Sequence, residues 1–152
     1  MSYLILAIDP DVIKSGVAIL YPSGGENIDG KLHDSLTLCN LTFPELMSYL
    51  EFDKANIKKV VVEAGWLNKK SNFHGRTGQT KAVGERIAKN VGENHAAGKL
   101  IAEMAESMGL VVQLVRPTSK KLNSEQFKQL TGIVGRTNQE QRDAGVLCWG
   151  MK

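Results

Sequence analysis

The chain has 152 residues, 42% apolar and 23% charged, the balance of an ordinary soluble protein and enough for one domain (1–152) with a proper core. No apolar stretch approaches the roughly 18 residues of a membrane span, and the N-terminus lacks a signal-peptide pattern. A cytoplasmic protein without a membrane partner is expected, in which Cys39 and Cys148, without metal-ligand spacing, are reduced packing residues.

Tyr3-Leu4-Ile5-Leu6-Ala7-Ile8 is an apolar run too short for a helix and reads as a buried central strand. Asp9 stands where that strand ends. A carboxylate there is costly unless its charge is compensated. It is either a turn-former through Asp9-Pro10-Asp11 or a metal ligand. Gly16 to Tyr21 should pair back on the first strand as an antiparallel hairpin, broken by Pro22-Ser23-Gly24-Gly25. Gly25 to Lys31 spells GxxxxGK, but Leu32 follows in place of Ser or Thr and no helix is signalled, so a nucleotide-binding loop is rejected. Leu32 to Cys39, with alternating Leu36 and Leu38, reads as an edge strand. His33 reads as a solvated residue on it. Asn40-Leu41-Thr42 matches a glycosylation pattern that means nothing without secretion. Thr42 and Glu45 form a capping box for a helix to about Asp53 that buries Leu46, Met47 and Leu50.

Lys59-Val60-Val61-Val62-Glu63 is the next strand, apolar on both faces as parallel central strands are, and again it ends in an acid. If the two acid-ended strands are parallel neighbours, about 4.8 Å apart, Asp9 and Glu63 lie close together. They then repel unless one is protonated or a cation joins them. Ala64 to Gly78 reads as an exposed loop in which Lys69, Lys70 and Arg76 are interleaved with Trp66 and Phe73. That pattern suits phosphate contact plus base stacking; the alternative is that Trp66 folds back on the core. His74, in the same loop, reads as surface.

Residues 79–108 carry apolar residues at helical spacing, with Gly84, Gly92 and Gly98 marking a break near Asn90 or close packing against another helix. Gly109 ends the helix. Leu110 to Val115 is a fifth strand, stopped by Pro117; strand, long helix, strand makes a parallel crossover. Asn123 caps a short helix holding Phe127 and Leu130, closed by Gly132. Asn138 with Gln141 caps a last helix. On it Glu140 and Asp143, three apart, share a face, and Leu147 on the same stripe turns that face toward the sheet. The alternative role for this pair is to complement the helix dipole.

The net charge of +3 is unevenly spread. Residues 1–63 carry −4, 64–90 carry +5, 91–115 carry −2, 116–136 carry +4, and the rest balance. Two basic blocks in an otherwise acidic chain suit a polyanionic partner, or are merely a solvated surface. In the second block Lys120, Lys121 and Lys128 are candidates for tracking a phosphate backbone. Asp9, Glu63, Glu140 and Asp143 come from the ends of elements that can converge on one edge of the sheet. Clustered carboxylate oxygens suit hard ions such as Mg²⁺ or Mn²⁺. Two such ions about 3.5–4 Å apart activate water and stabilise the leaving oxygen in phosphodiester cleavage.

At these residues the chain resembles the RuvC-type Holliday junction resolvases of the ribonuclease H-like superfamily. Ile8-Asp9-Pro10 with Gly16-Val17-Ala18 looks like their first hairpin, and Val60-Val61-Val62-Glu63 like their strand ending in a catalytic Glu. Asn90 to Leu110, Val111 to Pro117 and Lys120-Lys121 resemble their long helix, fifth strand and Lys-containing segment. Glu140-Gln141-Arg142-Asp143-Ala144 resembles their last helix with two catalytic acids. The resemblance implies an α/β fold with a five-stranded mixed sheet, order 3-2-1-4-5, strand 2 antiparallel, flanked by helices. It implies a homodimer that uses Mg²⁺ to cut two strands of a four-way DNA junction symmetrically, and it places Trp66 near an aromatic that contacts junction DNA. The chain departs from the family at Asp11, where the family has Gly, in the more basic loop after Glu63, and over Lys121 to Gln126. Two other readings stand beside this one: a ribonuclease H-like nuclease acting on other branched DNA or RNA, and a non-catalytic nucleic-acid-binding domain of the same fold.

Overall fold

The computed structural model describes residues 3–26, 32–68 and 80–152. Its five strands are β1 (Leu4–Asp9), β2 (Ser15–Glu26), β3 (Leu32–Leu41), β4 (Ile57–Glu63) and β5 (Val112–Val115), in sheet order β3-β2-β1-β4-β5. β2 is antiparallel to both β1 and β3, while β1, β4 and β5 run parallel. This is the mixed five-stranded sheet, in the order and with the antiparallel second strand, expected from the sequence. Among the described residues four α-helices accompany it: α1 (Phe43–Asp53), α2 (Lys81–Ser107), α3 (Ser124–Thr131) and α4 (Gln139–Cys148). No helix among the described residues is long and apolar enough to cross a membrane.

The alternation of side chains along a strand divides the core in two. Leu4, Leu6 and Ile8 of β1 join Val60 and Val62 of β4 and pack with Leu46 and Leu50 of α1 and Ile101, Ala102 and Ala105 of α2. The intervening Ile5 and Ala7 join Ala18, Leu20 and Val61 and pack with Ala144 and Cys148 of α4. Every residue of Leu4–Ile8 is fully buried, which explains a run apolar at each position. The two cysteines are free and lie on opposite sides of the sheet, Cys39 partly buried against the first cluster and Cys148 buried in the second.

The helix starts follow their capping residues. Thr42 with Glu45, Asn123 with Gln126, and Asn138 with Gln141 each make both reciprocal capping bonds, and Thr80 accepts the Val83 N–H to start α2. Gly109 and Gly132, at φ +83° and +75°, end α2 and α3 in the left-handed conformation open to glycine.

Several local expectations change. β2 does not stop at Pro22 but continues through an irregularity between Tyr21 and Gly25 to pair with β3 as far as Glu26. There Ser23 takes a positive φ of 54° and donates its N–H to the Asp34 carboxylate at 2.9 Å. α2 runs unbroken through all three of its glycines. Of the two apolar residues on α3, Phe127 is buried and anchors the helix, while Leu130 is exposed. The Gly25 to Lys31 pattern lies mostly outside the described residues, as do Lys69, Lys70, Phe73, His74 and Arg76.

Candidate active site

Asp9 and Glu63 are the last residues of the parallel neighbours β1 and β4. Ile8 stands opposite Val62, so one step further both strands end in an acid, side by side. The period of two that turns Ile5, Ala7 and Val61 toward α4 carries Asp9 and Glu63 to the same side. Two half-buried carboxylates therefore lie at the carboxyl ends of central strands, beneath the start of a helix.

That helix is held unusually close. Asp9 pairs with Gly16 on β2, and a Cβ on Gly16 would collide with the backbone carbonyl of Glu140. Only a glycine lets the first turn of α4 rest directly on the strand beside Asp9. Two amides pin the same turn from the side: Asn138 Nδ2 and Gln141 Nε2 donate to Asn40 Oδ1 at 2.7 and 2.8 Å. On the far side Phe127 of α3 packs against Gly145. The two acids of α4 then differ. The Asp143 side chain is 11% exposed, whereas Glu140 is an exposed residue.

The acids act on one another. Burial first, then the charges of Glu63, Asp143 and Glu140, push the Asp9 carboxyl up to about 8, with Lys121 pulling the other way. Glu63 is also raised, chiefly by burial and further by Asp143, again against Lys121. Lys121 Nζ donates to Asp143 Oδ2 at 2.6 Å. Burial would lower its pKa, but the bond and charge of Asp143, with the charges of Glu63 and Asp9, carry it above the usual lysine value. Lys121 therefore belongs to the acid corner, a placement more specific than tracking a phosphate backbone from the surface.

The donor set is all carboxylate oxygen, which suits a hard divalent cation, and among the described residues the Lys121 ammonium opposes Asp9, Glu63 and Asp143. Among the described residues no three acid, His or Cys side chains already stand close enough to hold an ion. The fit is one of donor chemistry and charge, not of a preformed cage.

A cleft of about 880 Å³ opens from Asp9, Glu63 and Lys121. Its walls include Trp66, Ile87, Val91, Asn94, His95 and Thr118. Trp66 packs partly on the α2 side of the core, edge-on to His95 with ring centroids 6.4 Å apart, and keeps its remaining surface on the cleft. The alternative that Trp66 folds back on the core therefore holds in part. Asp11, the acid in the hairpin turn, is a turn-former: its Oδ1 accepts the N–H groups of Ile13 and Lys14, and its Oδ2 accepts from Asn94. Asn94 in turn accepts the Val12 N–H, tying the hairpin to α2. Lys120 lines a smaller pocket with Glu63, Lys121 and Asp143, while Lys128 stands exposed on α3 away from that corner's lining. His95 and Asn94 carry no signal in the sequence as members of this site, because their place depends on how α2 is rotated against the sheet.

No family model matches the chain, and no curated protein matches it in sequence. Among solved structures it is similar to Thermus thermophilus RuvC in complex with a Holliday junction substrate, at 14% identity over 95% of this chain and 89% of that one, with a TM-score of 0.50. A second Thermus thermophilus RuvC structure is similar at 15% identity over 95% and 90%, also with a TM-score of 0.50. At this identity the likeness is one of fold.

Proposed function

We propose that the chain is a divalent-metal-dependent, structure-selective DNA endonuclease that resolves four-way junctions by paired cleavage, acting in the cytoplasm as a homodimer. The observation that carries this reading is the gathering of Asp9, Glu63, Glu140 and Asp143 from two strand ends and one helix into a single electrostatically coupled corner. A fold shared with a protein solved on a Holliday junction supports the choice of branched DNA. A purely binding domain gains nothing from four carboxylates beside a polyanion.

The four acids would hold Mg²⁺ or Mn²⁺, two ions by the chemistry of phosphodiester cleavage. Bound there, such ions supply an activated water and a counter-charge to the leaving oxygen. The chain's own residues do the rest. Asp9 and Glu63 are fixed by the rigid ends of central strands, and α4 brings Asp143 down onto them. The cleft beside them receives the strand that carries the scissile phosphate, and Trp66 offers its exposed surface for stacking. Lys69, Lys70, Arg76, Lys120 and Lys128 are the candidates for further phosphate contacts.

The test is to incubate the protein with a synthetic four-way junction, a flap and a plain duplex, in Mg²⁺ or in EDTA. Paired, metal-dependent nicks in the junction are expected, reduced about 100-fold or more in Asp9→Asn and Glu63→Gln. Cleavage that survives those substitutions refutes the site. Cleavage of flaps alone moves the substrate to other branched DNA.

A further inference from the structure

Arg142 lies on α4 immediately before Asp143, half-buried, and forms no ion pair among the described residues. Its guanidinium donates instead to neutral acceptors. Nε reaches the Leu122 carbonyl at 3.0 Å, Nη1 the Thr137 carbonyl at 2.7 Å and hydroxyl at 3.0 Å, and Nη2 the Gln139 Oε1 at 3.1 Å. Gln139 works in the same direction: its Nε2 donates to the Leu122 carbonyl at 3.3 Å and to Asp143 Oδ1 at 2.7 Å. One backbone carbonyl, in a segment 20 residues upstream of Arg142, is thus gripped by two side chains of α4. The residue just before that carbonyl is Lys121, whose ammonium sits on Asp143 Oδ2 at 2.6 Å.

The Lys121 side chain is 51% exposed. An ion pair of such a residue ordinarily contributes little, because a long side chain on a free loop samples many positions. Here the neighbouring backbone is fixed to the helix that carries the partner acid, which removes much of that freedom. A rigid fork of several donors suits Arg for this task and a single ammonium does not. Both Asp143 oxygens are consequently occupied, one by Gln139 and one by Lys121.

We propose that Arg142 and Gln139 are positioning residues that pin the Leu122 carbonyl to α4 and so hold the Lys121 ammonium in the carboxylate corner as its resident counter-charge, to be displaced from Asp143 when a divalent ion binds. The displacement rests on the reading that these acids hold an ion; the clamp itself does not.

Calorimetric titration of the full chain with Mn²⁺, without DNA, tests the displacement. Lys121→Met should bind about fivefold more tightly or better, since a competing unit charge a few ångströms away is gone. Arg142→Lys should shift at least about twofold in the same direction, although it keeps its charge, because one ammonium cannot replace the fork. Wild-type affinity in Arg142→Lys, or weaker binding in Lys121→Met, overturns the proposal. Should the wild-type chain bind no divalent ion, the functional reading fails and the clamp is judged separately, by melting in EDTA. A double-mutant cycle of Lys121→Met with Asp143→Asn should give non-additive melting shifts in the native background and additive ones in Arg142→Lys. Additivity in both backgrounds refutes the clamp. If Arg142→Lys does not fold, Gln139→Leu takes its place with the same expectations.

Discussion

The two sides of the sheet are packed on different terms. Against α1 and α2 the strands present Leu4, Leu6, Ile8, Val60 and Val62, and the helices answer with Leu46, Leu50 and Ile101. Against α4 the buried residues are Ile5, Leu20 and Val61 together with the small Ala7, Ala18, Ala144 and Cys148, and Gly16 stands at the closest approach. Bulky aliphatic packing buries the most apolar surface. Small residues bury less but let a helix backbone come down onto the strands. An Asp side chain is short, so Asp143 can join two strand-borne acids only if its helix lies that close. One side thus holds the molecule together and the other brings its acids into register.

The comparison breaks most visibly under truncation of the bulky side. Leu6→Ala, at a fully buried position among α1 and α2 contacts, should cost about 2–5 kcal/mol in denaturant unfolding. In the fraction still folded, Mn²⁺ affinity should be unchanged. A large loss of affinity in that folded fraction would show that the two sides are not separable.

The small side should respond in the opposite sense. Asp9 is raised to about 8 from an ordinary value of 3.8. An acid raised on folding lends stability that is fully present below its unfolded pKa and lost as pH climbs to its folded one. Without metal the chain should therefore lose stability between about pH 4 and pH 8, and Glu63, shifted the same way, adds to the loss. Asp9→Asn does not titrate. In EDTA it should melt well above wild type at pH 8, by on the order of a few kcal/mol, and close to it at pH 4. Adding Mg²⁺ should restore the wild-type chain and leave the variant where it was. Coincident melting curves of the two proteins in EDTA from pH 4 to 8 would sink the coupling of the acids.

A smaller and more local break is Gly16→Ala. The added methyl meets the Glu140 backbone, which cannot rotate away as a side chain end could, so the first turn of α4 must lift. A loss of about 1–3 kcal/mol is expected, with a disproportionate fall in Mn²⁺ affinity. Unfolding that weakens while affinity holds would place the acids' geometry elsewhere.

Much of this division could be read along the chain, and the exceptions share a cause. Asp9 and Glu63 betray themselves as acids ending apolar runs, and the parallel pairing of those runs follows from their double-sided burial. Asn138 and Gln141 announce the start of α4, which puts Glu140 in its first turn and Asp143 just beyond it. Lys121 could not be singled out, since it is one lysine in a basic block and its partner lies 22 residues on. Asn94 joins the site through Asp11, 83 residues away, and nothing local marks it. β2 survives Pro22 because the Asp34 carboxylate on β3 accepts the Ser23 N–H. Local propensity and period reveal elements and strand ends; pairings made by side chains across the fold do not show in them.

The weakest break lies along α2, where three glycines look alike in sequence and differ in space. A Cβ on Gly84 or Gly92 meets nothing, whereas one on Gly98 would come within 2.6 Å of the Trp66 ring and 3.0 Å of Pro10. In open helix positions Ala is favoured over Gly by roughly 1 kcal/mol. Gly84→Ala and Gly92→Ala should each stabilise the chain by up to about that much in urea unfolding. Gly98→Ala gains the same propensity but must push aside two residues adjoining the acids, since Pro10 follows Asp9 and Trp66 begins three residues after Glu63. It should come out destabilising by about 1 kcal/mol or more. Its signature should appear in the cleft as a changed Trp66 fluorescence that the other two variants lack. Stabilisation by all three alike would mean that α2 rests on the sheet without gripping the strand ends.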